Sequence, residues 1–418
     1  MDNAKKNELM EHLAHELDIT PDMYRRMIRV VDGLQNHLQN RTPGTRVYKQ
    51  GSMKLGTAVR PYKGDKDADF DIDLVVQYLS KREDTSPELL KSLLGDSLKN
   101  SDYGFFLDEE GRKCWTLNYD ANNPSRDPFH IDLCPAVDES MARKSKIHPG
   151  HLRDSAIAIT KIKDKKIKPH QYDWDTSNPE GYAKWFNGLT DGVYRQIKIN
   201  DRQRVYARHQ GSFADINSVA DEYTRTPLQR VVQLLKRHRD VAYANQKNSD
   251  DKPASIIITT LVGRMVEALS QDGRTINDTY QLLNFVLDNI TQFAKFMAEG
   301  KTSDASSILH VRAYMTRVHD AASGKMDWKI PNPANSEENL ADRWNETPAK
   351  AAEFFKWVAH VKKDLIDVLE SNPIDVKKNL QHALGPAFII AALSRFSFEP
   401  TKPKVALQSN QVPQPHRA

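Results

Sequence analysis

The feature that most constrains this chain is the run Ala68-Asp69-Phe70-Asp71-Ile72-Asp73-Leu74-Val75-Val76. Strict alternation of acid and apolar residue is the period of a β-strand. As a strand it puts Phe70, Ile72, Leu74 and Val76 on one face and Asp69, Asp71 and Asp73 on the other. Carboxylates two residues apart on one face lie about 6–7 Å from each other and repel. A surface strand gains nothing from that arrangement, whereas a divalent cation with hard oxygen ligands does. The run Phe129-His130-Ile131-Asp132-Leu133-Cys134 repeats the pattern. Its apolar face is Phe129, Ile131 and Leu133, and Asp132 points away with His130 and Cys134. If the two strands are neighbours, Asp71, Asp73 and Asp132 share one polar face. Three such carboxylates can hold two metal ions roughly 3.5–4 Å apart. The expected ions are two Mg2+, with Mn2+ able to substitute.

A third element precedes these strands. Gln50-Gly51-Ser52 follows the strand-like Val47-Tyr48-Lys49, with 18 residues between Ser52 and Asp71. A turn of small residues lets backbone N–H groups approach a phosphate, and Lys54 and Thr57 could add a charge and a hydroxyl. Gly-Ser alone is only a turn signal. Its combination with an Asp-x-Asp strand and a third strand aspartate points to a metal-assisted phosphate site.

Around these elements the chain reads as α+β. Residues 1–40 carry helical spacing, with Leu9, Leu13 and Leu17 and then Met27, Val30, Val31 and Leu34 behind Thr20-Pro21. Strands are expected at 47–50, 69–79, 113–119 and 129–137, separated by loop signals at 61–67 and 120–128. Segment 155–175 reads as a hairpin or an ordered loop. From residue 179 the pattern is helical, with helices expected at 226–244, 254–270, 277–298, 348–370 and 375–385 and a Pro/Asn-rich loop at 329–344. The expected division is a catalytic sheet core with an N-terminal helix over 1–178, a helical domain closing a cleft over 179–398, and a flexible tail over 399–418.

The charge balance is 60 Lys plus Arg against 56 Asp plus Glu, a net +4. A protein that grips long nucleic acid usually carries a stronger basic excess, so small polyphosphate ligands fit at least as well. The two cysteines, Cys114 and Cys134, form no C-x-x-C pair and no zinc spacing. No disulfide framework is expected, and a reduced, cytoplasmic setting is the default. No secretory leader is read at the N-terminus, and the longest apolar stretch, 385–396, is too short to cross a bilayer and reads as a buried helix.

The blocks QGSMKLGT, DFDIDLVV and FHIDLCPA together resemble the active-site pattern of the polymerase β-like nucleotidyltransferases. NPEGYAKWF, TPLQRVVQLLKRHRD, KPASIIITTL and NPANSEENLADRW resemble, more narrowly, the bacterial cGAS/DncV-like nucleotidyltransferases, the CD-NTases. The resemblance covers scattered blocks from about 47 to 345. It implies a bilobed fold and an enzyme that condenses nucleoside triphosphates, ATP among them, into a cyclic oligonucleotide messenger for anti-phage defence. It also implies a downstream effector and regulatory or conjugating partner proteins, the conjugating ones acting on the C-terminal tail.

Carried over by position, Gln50, Gly51 and Ser52 would hold triphosphate, and Asp71 and Asp73 would bind both metals. Asp132 would bind the catalytic metal and help deprotonate the acceptor hydroxyl. Lys236 and Ser255 would contact phosphates. Asp69 forms a competing pair with Asp71, and Asp71/Asp73 is preferred because Leu74-Val75-Val76 follows directly. Tyr182, Trp185 and Phe186 are candidates for base stacking, with core packing the preferred reading. His130 is read as structural. The alternatives are an RNA-modifying or linear-oligoadenylate nucleotidyltransferase, and a catalytically silent nucleotide-binding protein. Neither membrane association nor zinc-dependent DNA sensing is expected.

Overall fold

A computed structural model of the chain describes residues 1–60, 62–63, 66–67, 70–119, 129–147, 149–190, 194–244, 246, 249–299, 314–321 and 324–399. Asp69, the loop expected at 120–128 and the tail after Glu399 lie outside the described residues.

The central sheet is built from β1 (Arg46–Lys49), β4 (Phe70–Lys81), β5 (Trp115–Tyr119), β6 (Phe129–Asp138), β7 (Ile157–Ile162) and β8 (Tyr172–Ser177). A small hairpin of β2 (Tyr62–Lys63) and β3 (Lys66–Asp67) stands apart from it. The sheet order is β1-β4-β6-β7-β8, with β5 paired to the first half of β6. β4 and β6 run parallel, and all other pairings in this sheet are antiparallel. Segment 155–175 therefore resolves as a hairpin arm, with Ile157 opposite Ser177.

One face of the sheet is fully covered. Ile72, Leu74 and Val76 of β4, Ile131 and Leu133 of β6 and Leu117 of β5 pack against Met27, Val31, Leu34 and Leu38 of α2 (Pro21–Arg41) and Leu90, Leu94 and Leu98 of α4 (Pro87–Lys99). On the other face, among the described residues, Val75, Cys134, Ala136, Ile157 and Ile159 form a small cluster edged by Tyr48 and Cys114. That apolar patch stops short of Asp71, Asp73 and Asp132, so the alternation read from the sequence is the alternation between a core and an open polar face.

A second, larger core belongs to helices. α6 (Pro179–Gly188), α8 (Pro227–Tyr243), α9 (Ser255–Gln271) and α10 (Thr279–Glu299) pack with helices Ala349–Leu365, Pro373–Leu384 and Pro386–Leu393. α1 (Asn3–Glu16) joins this core through Leu9, Met10, Leu13 and Leu17 although it opens the chain. Among the described residues, five of the helices begin at a capping residue followed by Pro, with the cap accepting a backbone N–H: Thr20 from Met23, Ser86 from Leu89, Asn178 from Gly181, Thr226 from Gln229 and Asn372 from Ile374.

Two expectations are corrected. The Pro/Asn-rich stretch 329–344 is not an unstructured loop. Pro331–Asn332 pairs with Asn335–Asn339, and asparagine side chains act as backbone partners, Asn339 Oδ1 accepting from Ile330 N at 2.9 Å. The helix expected to run over 348–370 ends at Leu365 and tightens into a 3₁₀ turn over Asp367–Glu370. Among the described residues one helical stretch, 249–271, has the length and hydropathy of a membrane span. Its Ile257, Ile258, Leu261, Val262 and Met265 are buried in the helical core. Pro386–Leu393 is half a core helix, with Ile389 buried and Ile390 55% exposed.

Candidate nucleotidyl-transfer site

The parallel pairing of β4 with β6 sets Asp73 opposite Asp132 and Asp71 opposite His130. Strand neighbours are about 4.8 Å apart, so the three carboxylates crowd one patch. Burial, and then repulsion from Asp132 and Asp71, pushes the Asp73 carboxyl up to about 6. Asp71 is also raised by burial and by Asp132, against the opposing pull of His130, Lys236 and Lys252. A patch that resists ionisation through burial and then through its own mutual repulsion is one that a cation would complete. The donor set, three carboxylates on adjacent rungs, suits hard divalent ions.

The Gly-Ser turn lies directly against this patch. Gln50 N continues the ladder by donating to Asp73 O at 2.8 Å. The chain then turns at Gly51 into the short helix α3 (Gly51–Leu55). Gly51 has φ +56°, and a Cβ there would lie 2.3 Å from Asp73 Oδ2. The position needs glycine both for its left-handed backbone and for the room it leaves the carboxylate. Gly51→Ala is therefore expected to lower turnover about 100-fold by displacing Asp73, with a melting temperature lowered by about 1–3 °C through the strained turn. A steady-state pyrophosphate assay showing less than a threefold loss would refute this.

Behind the turn, α8 holds the loop by its backbone. Gln229 Nε2 donates to Leu55 O (2.9 Å), Gln233 Nε2 to Ala58 O (2.9 Å) and Lys236 Nζ to Thr57 O (3.0 Å). Lys236 is thus a buried cation and not a solvated one. Burial and then Arg239 push it down to about 8, while Asp240, Asp73 and Asp71 pull the other way. Ser255, the first residue of α9, accepts from Arg239 Nη1 at 2.6 Å, and Arg239 also pairs with Asp240 at 2.6 Å. Lys236 and Arg239 are three apart on one helix face, a spacing present in the sequence. Arg239 was not singled out there, because a buried arginine and a solvated one look alike in a charged run.

Tyr182, Trp185 and Phe186 are all buried in the helical core. Tyr182 and Trp185 share a face, with ring centroids 5.2 Å apart, and Tyr182 Oη bonds Thr260 Oγ1 at 2.8 Å. Their packing role stands and a stacking role does not. His130 Nδ1 is bonded to Asn118 Oδ1 at 2.6 Å, which fits its structural reading. Glu11, His15 and Asp201 form another cluster of metal-ligand type, with ligand atoms within 4.8 Å of one another. Arg230 is inserted into that cluster, 2.9 Å from His15 Nδ1 and 3.3 Å from Asp201 Oδ2. It is an ion-pair network, not a second metal centre.

Residues 45–135 match the family described as cyclic GMP-AMP synthase DncV-like, nucleotidyltransferase domain. A c-di-GMP synthase of Roseivirga ehrenbergii is 24% identical over 330 residues, 79% of this chain and 69% of that protein. The cyclic dinucleotide synthase CdnG of Bradyrhizobium diazoefficiens is 22% identical over 352 residues, 81% of this chain and 70% of its own. The structure of that CdnG in complex with GTP superposes with a TM-score of 0.65 at 17% identity, covering 92% of this chain and 97% of CdnG. Residues 45–135 thus carry a DncV-like nucleotidyltransferase domain, and the chain as a whole shares the fold of the bacterial CD-NTases. It is a nucleotidyltransferase, and the sheet-plus-helices architecture is that of the CD-NTase fold. The E. coli MS115-1 CdnC with ATP shares the fold at a TM-score of 0.52 and 13% identity, over 91% of this chain and 98% of CdnC.

Proposed function

We propose that this CD-NTase joins nucleoside triphosphates into a cyclic oligonucleotide at the patch formed by Asp71, Asp73 and Asp132. The observation that carries the reading is the rung Asp73–Asp132 with Asp71 beside it, faced by the Gly51 turn. Asp71 and Asp73 would hold two Mg2+ ions and Asp132 the ion nearer the acceptor hydroxyl, with Mn2+ able to substitute. The ions would supply charge neutralisation to the triphosphate and its leaving pyrophosphate. Asp132 would take the proton of the acceptor ribose hydroxyl as that oxygen attacks the α-phosphate. The turn Gln50-Gly51-Ser52 would bind phosphate from one side, and Lys236 with Ser255 from the other. The nucleotide cleft would lie between the sheet unit of 1–178 and the helical unit of 179–398.

The curated relatives are a c-di-GMP synthase and a cyclic dinucleotide synthase, and the CdnG structure holds GTP. These support GTP as a substrate beside the ATP implied by the sequence resemblance. The fold support from CdnC, which has been solved bound to a HORMA protein, makes a regulatory partner part of the proposal. Signalling to an effector in cytoplasmic anti-phage defence completes it.

The test is incubation with four labelled ribonucleoside triphosphates and Mg2+ or Mn2+, followed by phosphatase and mass spectrometry, beside the Asp71→Ala/Asp73→Ala protein. A phosphatase-resistant product absent from the double variant is expected, and its mass names the bases. Nucleotide added only to RNA, or a product left linear, would instead establish the chain-extending alternative.

A further inference from the structure

We propose that Thr116 is a positioning residue for nucleotidyl transfer, fixing one oxygen of Asp132 so that the other faces the metal and the acceptor hydroxyl. This rests on the assignment of Asp132 made above. β5 lies antiparallel to β6 with Thr116 directly opposite Asp132, and Thr116 Oγ1 donates to Asp132 Oδ1 at 2.6 Å. That length belongs to hydroxyl–carboxylate bonds of the charge-assisted kind.

The donor is itself held in place. Leu117 is fully buried, and Trp115 is buried with its Nε1 bonded to Lys91 O at 3.0 Å. Thr116, between them, has little freedom to follow the carboxylate or to leave it. The next outward residue of β5 does the same one rung away, Asn118 Oδ1 meeting His130 Nδ1 at 2.6 Å. The polar face of this edge strand thus backs the polar face of β6, residue for residue.

The three acids differ in this respect. Among the described residues, Asp132 takes a side-chain hydrogen bond, while the carboxylates of Asp71 and Asp73 take none. Two of the acids are left for cations to organise, and the third is oriented beforehand by the protein. A carboxylate with one oxygen committed to a hydroxyl presents its second oxygen as a single, directed ligand and base. Loss of that kind of outer support to a metal ligand typically costs 10–100-fold in affinity or activity.

Thr116→Val keeps the β-branch and the strand preference while removing the hydroxyl. It is expected to lower kcat by roughly 10–100-fold with the KM for GTP changed less than threefold. Thr116→Ser restores the hydroxyl and is expected to return kcat to within threefold of the parent, and Thr116→Ala serves as a second removal. Independently of turnover, binding of Mn2+ alone, read from the EPR signal of the free ion, should weaken about tenfold in Thr116→Val and Thr116→Ala but not in Thr116→Ser. Parent-like kcat and Mn2+ affinity in both removal variants, beside an inactive Asp132→Asn, would overturn the role of Thr116 and leave the site assignment standing. Activity retained by Asp132→Asn would overturn the assignment itself.

Discussion

Asp73→Asn is expected to abolish nucleotidyl transfer and, at the same time, to make the metal-free protein more stable. The activity loss should reach about 10³-fold, roughly 4 kcal/mol of transition-state stabilisation, because the proposed ligand shared between both ions would be removed. The stability gain follows from the raised carboxyl. Its value in the folded chain is about 6, against the ordinary 3.8, through burial and then the repulsion of Asp132 and Asp71. The folded state therefore holds a proton that the unfolded state has released between about pH 4 and pH 6. Stability from this group falls as pH rises through that window, and the full cost is borne above it. Two units correspond to about 3 kcal/mol at most, and residual solvent contact reduces this to about 1–2 kcal/mol. In EDTA the asparagine protein should melt about 1–2 °C above the parent at pH 7.5, and the two should converge near pH 4. Added Mg2+ should stabilise the parent and not the variant. A variant that melts below the parent in EDTA at neutral pH would show that Asp73 is not held against its neighbours' charge.

Alternation in the sequence sufficed to read the acidic strand faces, because the apolar half of each strand meets a complete core of α2 and α4. It could not supply the register that sets Asp73 against Asp132. That pairing is parallel and joins residues 59 positions apart in sequence, so no local turn fixes it. α4 escaped notice despite its Ser86-Pro87 start, since Leu89 and Leu93 are exposed and broaden its apolar stripe beyond one face. α7 (Arg195–Arg208) escaped for the opposite reason: its buried residues are Asp201 and Val205, which give no apolar period. Thr116 carried no signal at all, because its role depends on a cross-strand partner. The charged run of α8 does not show its burial in the sequence. Arg230, Lys236, Arg237 and Arg239 are all buried, each with partners from other segments that no local spacing reveals.

Arg230→Met is expected to be the most destabilising single substitution in the helical core. The side chain of Arg230 is fully buried and binds Asp18 Oδ2 at 2.7 Å, Asp201 Oδ2 at 3.3 Å and Gln233 Oε1 at 3.2 Å. His15 Nε2 meets Asp201 Oδ1 at 2.8 Å, so α1, α7 and α8 converge on one charge cluster. Burial alone would raise both carboxyls. Arg230, with His15, overcomes it, holding Asp201 down at about 2 and Asp18 lower still. Depressed carboxyls contribute stability that is present above pH 4 and lost as the pH falls toward 2. Methionine fills the space but leaves two buried carboxylates short of their main partner, a change worth about 3–5 kcal/mol. The deficit relative to the parent should be largest at neutral pH and shrink in acid, where the stranded carboxylates take up protons. Adding Asp201→Asn to Arg230→Met should recover part of the loss, since the cost lies in the uncompensated charge and not in the missing contact. Guanidinium unfolding midpoints at pH 7 and pH 4 test both points. A deficit below about 1 kcal/mol, or one that Asp201→Asn deepens, would refute the account. Because Arg230, Gln233, Lys236 and Arg239 follow one another at three-residue spacing along α8, loosening the buried end of that row also loosens the end that grips Thr57 and Ser255. Turnover in Arg230→Met should therefore fall at temperatures well below its melting point.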